Sequence, residues 1–331
     1  MRTGREAAKN NVTLREFSQA ICVSERSFFY WSSDERTAPT EVSTSKRAAP
    51  PNKLKPEETK AIVEVLRRTD WAEFSPREIY YKLLDEDGVI LASVSSFYRI
   101  ARKENLLATR SRSESTGQKL NRKTPHLVAI GPNQIWSWDV SQIRSHERTI
   151  RFYLYVIMDI WSRYVVGWRL EDHEQSVHAI DMWKQALEAQ SISGNGLTNH
   201  KDNGSIMTAD EMIKFVRDAK MIDSYSRAGV SDDNPFSEAF FRTIKYFRNY
   251  PGSFVALTEG RNYFAKYFPD YNDEFRHSGI QFLSPSERHH GQEGKILDQR
   301  NRIVEMAYNE NIHRYSSEPK KFNPITEVRI N

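Results

Sequence analysis

The hydrophobic positions change their spacing near residue 125, from a helical period to the continuous apolar runs that are typical of strands. Before this point, apolar residues recur every three or four positions over 12–31 and within 54–110, as in amphipathic helices. After it come three segments rich in β-branched and aromatic residues, which predict buried strands over 135–143, 149–160 and 163–170. The pattern therefore predicts helical modules followed by an α/β region.

The first helical segment has the spacing of a helix-turn-helix. Thr13 and Ser24 can each cap a short helix, and a tight turn near Cys22 separates the two. The second helix of such a module enters the major groove of DNA, so Arg26, near its start, is a candidate DNA contact. We assign the module to residues 1–32. A plain helical hairpin is the alternative interpretation.

A polar stretch over 33–53, rich in Ser, Thr, Pro and charged residues, predicts a linker. The segment 54–110 then predicts three helices and a second DNA-binding module of the helix-turn-helix kind. Its last helix, over 93–104, carries basic residues on the predicted outer face. These candidate DNA contacts are Arg99, Arg102 and Lys103.

Positive charge is concentrated around the end of this module. The segment 99–123 contains eight basic and two acidic residues, a net charge of +6, whereas the whole chain has a net charge of only +4. Such a cluster is suited to binding DNA phosphates, because basic side chains that neutralise phosphates release the counterions condensed on the DNA, and this release favours binding. We assign 111–130 to a basic linker, for which a solvated, non-binding segment is the alternative. We predict that the segments before this linker recognise DNA and that the segment after it carries out catalysis.

The rest of the chain predicts an α/β fold with a mixed five-stranded sheet. Three consecutive strands are followed by alternating helices and strands, the pattern that this fold class produces. Residues 131–292 are assigned to this core, and residues 293–331 to a C-terminal extension. The predicted elements after the third strand are a helix over 176–190, a strand over 197–202, a helix over 208–220, a strand over 221–227 and a helix over 235–250.

Three carboxylates fall at the ends or turns of these predicted elements. Asp139 lies in the first strand, Asp202 directly follows the fourth, and Glu238 is in the first turns of the closing helix. Divalent ions such as Mg²⁺ bind a few carboxylates together with water and phosphate oxygens. Two such ions about 4 Å apart can drive an in-line phosphoryl displacement. Asp159, also flanked by apolar residues, is interpreted as structural.

The segments around these carboxylates carry a resemblance. WSWDVS, HKDNGS and DNPFSEAFFRTIK resemble the three catalytic motifs of the DDE transposases and retroviral-type integrases. The likeness is closest to insertion-sequence transposases of the third (IS-three) family, whose characteristic gap of 35 residues separates Asp202 from Glu238. It extends through YNDEFRHSGIQFLSPSERHHG, which is similar to that family's tail motif, and covers roughly residues 130 to 292.

The resemblance implies a ribonuclease-H-like catalytic core and use of Mg²⁺ or Mn²⁺ as two ions held by Asp139, Asp202 and Glu238. It implies cleavage of double-stranded DNA at the ends of a mobile element, strand transfer into target DNA, and action as a homo-oligomer on paired ends. In the family a basic residue seven positions after the glutamate contacts element-end DNA, and here that residue is Lys245.

The sequence departs from the family pattern at two places. Lys201 precedes the second aspartate, where the family often has serine; it adds positive charge beside the predicted metal site and is a candidate DNA contact. The tail reads FPDYN where many relatives have WYN, and Pro269 is expected to interrupt or kink the tail helix.

A basic stripe is predicted on the closing helix, where Glu238, Arg242, Lys245 and Asn249 are spaced to share one face. Arg242 and Lys245 would meet DNA phosphates, and a solvated face is the alternative. The polar loop 228–234 is expected to order on DNA or metal. Three histidines are interpreted as surface or DNA-contacting residues and not as zinc ligands: His277, His289 and His290.

Two features narrow the class of protein. The longest apolar run, 152–160, is too short to cross a bilayer, so we expect a cytoplasmic, nucleoid-associated protein without membrane contact. A single cysteine excludes an internal disulfide and a CxxC zinc module. The prediction is therefore a DNA transposase. The alternatives are an integrase or nuclease of the same fold and a non-catalytic DNA-binding repressor.

Overall fold

The computed structural model of the chain describes residues 52–107, 127–226, 235–247, 249–315 and 317–330. Several predictions lie outside the described residues: the helix-turn-helix with Arg26, nearly all of the linker 33–53, most of the basic linker 111–130, and the polar loop 228–234.

Three helices form the segment after the first linker: α1 (Pro56–Leu66), α2 (Pro76–Glu86) and α3 (Val94–Lys103), with a 3₁₀ turn at Thr69–Trp71. The hydroxyls of Ser75 and Ser93 cap α2 and α3, which satisfies amide groups that the helix itself leaves unpaired. The helices pack around one small core, so the predicted three-helix arrangement is confirmed. The fully or nearly buried members of this core are Ile62, Trp71, Ile79, Leu83, Phe97 and Ile100.

Seven strands follow in the described part of the chain. They are β1 (Leu127–Ala129), β2 (Ile135–Arg144), β3 (Arg151–Asp159), β4 (Val165–Glu171), β5 (Thr198–Lys201), β6 (Ile222–Tyr225) and β7 (Val328–Ile330). Five of them form one sheet in the order β4-β3-β2-β5-β6. β2, β3 and β4 are antiparallel, whereas β5 and β6 run parallel to β2. This is the predicted mixed, ribonuclease-H-like sheet.

Helices cover both faces of the sheet. One face packs on α4 (Ser176–Ala189) and α5 (Asp210–Asp218) through a core that includes Trp136, Trp138 and Trp183. The other face packs on α6 (Pro235–Lys245) and α7 (Leu257–Glu274) through a second core rich in Phe and Tyr. Because side chains alternate across a strand, β2, β3 and β4 each contribute to both cores.

Two helix boundaries differ from the prediction. α6 ends at Lys245, so Asn249 is not on the helix and does not extend the basic stripe. Phe247 and Tyr250 pack against the second core beyond the helix end, and Pro251 disfavours helical geometry in the residue before it. α7, in contrast, continues through Pro269, because buried aromatic neighbours hold both sides of the proline in place, namely Phe264, Tyr267, Phe268 and Tyr271.

The C-terminal segment consists of a 3₁₀ turn at Ser278–Ile280, α8 (Pro285–His289), α9 (Glu293–Glu310), a second 3₁₀ turn at Ile312–Arg314, and β7. β7 pairs antiparallel with β1 in a separate two-stranded sheet. Leu54–Asn331 form one compact unit, so the three-helix segment and the sheet belong together. None of the helices in the described ranges is long and apolar enough to cross a membrane.

Candidate active site

Asp139 lies on β2, and Asp202 directly follows the neighbouring strand β5. β5 runs parallel to β2 with Ser137 opposite His200. Asp139 and Asp202 each lie two residues beyond this pair in their own segments. Asp139 also pairs with Val156, which packs in the core beneath α6 and α7. The Asp139 carboxylate therefore emerges on the α6 side of the sheet.

α6 is attached to this face at two points along β2. The hydroxyls of Ser137 and Ser237 are 2.9 Å apart and buried, and the Lys245 ammonium donates to the Ser141 hydroxyl at 2.7 Å. Glu238 follows Ser237 and lies two helical turns before Lys245, on nearly the same side of the helix. Since Lys245 reaches β2, Glu238 is directed toward β2 as well, near Asp139.

The three carboxylates are close enough to affect one another. Burial, together with the smaller effect of the negative charges of Asp202, Glu238 and Glu174, raises the pKa of Asp139 to about 7. A hydrogen bond from the Val140 amide at 2.7 Å acts in the opposite direction. The site thus concentrates negative charge around one partly buried carboxyl group.

Lys245 is the basic side chain that balances part of this charge. Burial lowers its pKa, and the neighbouring Asp139 acts in the opposite direction. The Lys245 ammonium therefore lies next to the Asp139 carboxylate. Because the Lys245 side chain is also exposed on α6, a phosphate group could reach it.

The donor set fits a hard divalent cation by its chemistry, since carboxylate oxygens are the ligands that Mg²⁺ and Mn²⁺ prefer. A cation would also favour the ionised form of Asp139. Across the described ranges, however, no three His, Cys, Asp or Glu side chains are gathered closely enough to form a metal-binding group. The carboxylates converge on one region of the sheet without forming a closed cage.

The predicted role of Lys201 gains no support from the structure. Its side chain is 0% exposed and forms an ion pair with Asp223 at 2.9 Å, with its ammonium 4.8 Å from the centre of the Tyr225 ring. The Lys201 ammonium is therefore engaged by neighbours on β6 and is closed off from solvent. A DNA contact needs an accessible charge, and we do not include Lys201 in the DNA surface proposed below.

The remaining described basic candidates are accessible. Arg242 is exposed on α6, with its guanidinium 5.9 Å from the Tyr246 ring. Arg99, Arg102 and Lys103 are exposed in the second half of α3. Their exposure permits DNA contact, which stays a prediction.

Asp159 is a structural residue, as predicted. Its carboxylate is fully buried and accepts hydrogen bonds from the Asn133 amide and from the amide and hydroxyl of Ser162, at 2.7 to 2.8 Å. The Ser162 hydroxyl is also 2.9 Å from Nδ1 of His289. These bonds fix the turn between β3 and β4 on the rim of the sheet.

The surface interpretation of the histidines is wrong for His289. It is buried, stacks on Tyr164 with ring centroids 4.5 Å apart, and has its Nε2 2.8 Å from the Gln190 side-chain oxygen. Burial lowers its pKa to about 4. His277 is also largely enclosed, and burial lowers its pKa to about 4. Only His290 is exposed among the three.

Three residues at the site were not identified from the sequence. Ser137 and Ser237 join β2 to α6, and Glu174, in the turn before α4, adds negative charge near Asp139. Ser137 had a usable signal, since it lies two residues before Asp139 and so shares its face of the strand. The positions of Ser237 and Glu174 depend on packing between distant segments, and the sequence pattern carries no comparable signal for them.

Comparison with known proteins identifies similar chains. The integrase core domain family model matches residues 130–231. The transposase for insertion sequence element IS904 of Lactococcus lactis is 31% identical over 177 residues, covering 52% of this chain and 68% of that protein. Transposase InsF for insertion sequence IS3A of Escherichia coli is 31% identical over 162 residues, covering 49% of this chain and 55% of that protein.

Two solved structures have related folds. The catalytic core domain of HTLV-2 integrase in complex with magnesium is 20% identical and covers 49% of this chain and 99% of that chain, with a TM-score of 0.39. The Mos1 transposase catalytic domain with raltegravir and magnesium is 13% identical and covers 53% of this chain and 83% of that chain, with a TM-score of 0.37.

Proposed function

Since the chain belongs to the insertion-sequence transposases, we propose that it binds the ends of a mobile element, cleaves the DNA there and joins the ends to target DNA. Asp139, Asp202 and Glu238 are the proposed catalytic residues. The observation that supports this proposal is that Asp202, directly after β5, and Glu238, on α6, are close enough to act electrostatically on Asp139 of β2.

The same carboxylates are the proposed ligands of Mg²⁺ or Mn²⁺, in the form of two ions. When bound, such ions supply activation of the attacking oxygen and stabilisation of the leaving oxygen in a phosphoryl transfer. The oxygen-only donor set and the charge density around Asp139 support this assignment. The magnesium in the HTLV-2 integrase structure belongs to that protein, and its use here is part of the proposal.

The chain's own residues would orient the DNA around these ligands. Ser137 and Ser237 hold the start of α6 against β2, which sets where Glu238 stands relative to Asp139. Lys245, held beside the carboxylates by Ser141, is placed to contact a phosphate close to the scissile bond. Arg242, one turn earlier on α6 and exposed, extends the same positive surface along the DNA backbone.

Recognition of the element end is assigned to the helical segments upstream. The exposed basic residues of α3 are suited to phosphate contact, and Arg26 is the proposed base-reading residue of the first module. Action on two ends requires a homo-oligomer on double-stranded DNA, which we propose together with a cytoplasmic, nucleoid-associated location. The basic residues of α3 in this proposal are Arg99, Arg102 and Lys103.

The test is cleavage and joining of a labelled duplex that carries the element end, with Mg²⁺, Mn²⁺ or a chelator. Asp139→Asn, Asp202→Asn and Glu238→Gln should each abolish both reactions while end binding persists. Asp270→Asn, on the exposed side of α7, is the matched control and should leave both reactions unchanged.

The outcomes separate the proposed function from its alternatives. Metal-dependent cutting without any joined product would indicate a nuclease of the same fold. End binding without metal-dependent cutting by the unmodified chain would indicate a DNA-binding protein. Cleavage by Asp202→Asn at more than a few per cent of the unmodified rate would remove Asp202 from the catalytic set.

A further inference from the structure

A buried arginine joins the three-helix segment to the C-terminal part of the chain. Arg300 lies on α9, is 0% exposed, and its guanidinium donates to both carboxylate oxygens of Asp85 on α2, each at 2.7 Å. The two residues are 215 positions apart in sequence. The bidentate geometry fixes both the distance and the orientation between the two helices.

The same guanidinium also holds a strained turn in the tail motif. Arg300 donates to the carbonyl oxygens of Gln281 and Phe282, two consecutive residues with φ of 58° and 59°. Left-handed geometry is unfavourable for residues other than glycine and persists where surrounding contacts impose it. Arg300 therefore binds α2 and this turn simultaneously through one planar group.

Further contacts strengthen the junction on both sides of Arg300. Tyr81 of α2 stacks on Phe282, with centroids 4.4 Å apart and planes 8° from parallel. Asp85 also forms an ion pair with Arg276 at 3.3 Å, and Lys82 with Glu274 at 2.6 Å. α2 is thus connected to the C-terminal end of α7 and to the turn that follows it.

Continuous packing leads from this junction to the candidate active site. α7 contacts α6 through Phe240, whose ring is 4.8 Å from that of Tyr271, and α6 carries Glu238. In the other direction, α2 and α3 share one hydrophobic core, so a fixed α2 also fixes the exposed basic residues of α3. Both the proposed DNA-contacting helix and the carboxylates are therefore held by elements that meet at Arg300.

We propose that Arg300 and Asp85 are positioning residues that set the distance between the DNA-contacting helix α3 and the carboxylate site, and so determine which nucleotide is cut. The inference rests on the proposed function. Stability alone does not explain a buried ion pair, because apolar side chains of similar size often stabilise as well or better. Directional hydrogen bonds to a carboxylate and two carbonyls, in contrast, specify one relative placement of three segments.

The experiment maps cut positions at nucleotide resolution on an end-bearing duplex with Mg²⁺ or Mn²⁺. Asp85→Asn leaves Arg300 buried without its counter-charge and should lower the melting temperature. The double variant Asp85→Asn/Arg300→Met removes both charges and should recover much of it, since an unpaired buried charge is the costly state. Arg302→Met, an exposed position on the same helix, is the matched control.

The positioning role predicts that the double variant still binds end DNA but cuts at the normal nucleotide about 100-fold more slowly, the scale expected for a misplacement of about 1 Å. Its remaining cuts should spread over neighbouring positions. Tyr81→Leu, which removes the stack on Phe282 but leaves the ion pair, should produce a milder spread and provides a readout if the double variant fails to fold.

A double variant or Tyr81→Leu variant that folds, binds and cuts at the normal nucleotide at the unmodified rate would overturn the inference. That result is distinguishable from failure of the proposed function itself. If the unmodified chain produced no metal-dependent cuts on any end-bearing duplex, the proposed function would be rejected before the variants were compared.

Discussion

The hydroxyl groups of Ser137 and Ser237 form a buried hydrogen bond of 2.9 Å between the central strand β2 and the first turn of α6. Asp139 is two residues beyond Ser137 on the same face of its strand, and Glu238 is the residue after Ser237. The bond therefore sets the position of one proposed metal ligand relative to another, although neither serine is itself a proposed ligand.

The first prediction concerns this bond. Ser237→Ala removes this one hydrogen bond of the Ser137 hydroxyl and should lower the free energy of unfolding by about 0.5–1.5 kcal/mol. Because Glu238 is then less firmly placed, the Mg²⁺ concentration for half-maximal cleavage should rise. Thr243→Ala, whose hydroxyl bonds only to Ala239 within α6, is the control.

The two effects of Ser237→Ala can be separated with the double variant Ser137→Ala/Ser237→Ala. Removing both hydroxyls should recover part of the unfolding free energy, because the buried Ser137 hydroxyl is then removed together with its Ser237 partner. The Mg²⁺ requirement should stay high. If Mg²⁺ titrations of the single variant, the double variant and the unmodified chain superimpose, the serine pair has no positioning role.

The second prediction concerns Lys245. Lys245→Ala should reduce the slope of log affinity against log salt concentration by about one unit, because one phosphate contact releases about one counterion. Binding titrations with a fluorescent end duplex at several salt concentrations measure this slope. Lys266→Ala, an exposed lysine on α7, should leave it unchanged. An unaltered slope together with an unaltered strand-transfer rate for Lys245→Ala would indicate that Lys245 is a solvated surface residue without a DNA contact.

The third prediction is a pH dependence of stability from His289. Its pKa falls from an ordinary 6.5 to about 4 in the folded chain, so the unfolded chain binds more protons between these values. The stabilisation is fully present above pH 6.5 and is lost as the pH falls toward 4. Over this range the contribution changes by at most about 1.4 kcal/mol per pH unit.

Urea unfolding at pH values between 7.5 and 4.5 measures this dependence. His289→Gln should unfold more easily at pH 7.5 and show a shallower loss of stability on acidification than the unmodified chain. His277 contributes a slope of the same sign in both proteins, so the difference between them isolates His289. His146→Gln, at an exposed position, should keep the original slope, and a parallel pH profile for His289→Gln would contradict the assignment.

Local patterns in the sequence were sufficient to predict the five strands of the main sheet, most helices and the placement of three carboxylates on separate segments, whereas the short strands β1 and β7 were not predicted. Strand alternation and helical period are properties of neighbouring residues, and they do not depend on distant contacts. The boundaries of β2, β3 and β4 follow the apolar runs to within a few residues. The order of the three segments that carry the proposed catalytic carboxylates, and with it the family, could likewise be predicted from the sequence.

Where local rules competed with long-range packing, the sequence was a poorer guide. Pro269 is expected to break a helix, yet α7 continues through it because aromatic side chains on both sides are buried. Nearby, the Asn272 side chain exchanges hydrogen bonds with both the amide and the carbonyl of Val165 on the edge strand β4, at 2.9 and 3.0 Å. Neither contact has a local signature, since the partners lie 107 positions apart.

The sequence by itself determined which elements form and which side chains can do chemistry, because periodicity and residue type are local. Only the tertiary structure decided where those side chains point and what they meet. In the folded chain Lys201 forms an ion pair with Asp223, Ser237 contacts Ser137, and Arg300 binds Asp85, which is 215 positions away in sequence. Each of these pairs depends on how separate elements pack together. That packing is determined by the burial of apolar surface over the whole folded unit, and local sequence patterns do not contain this information.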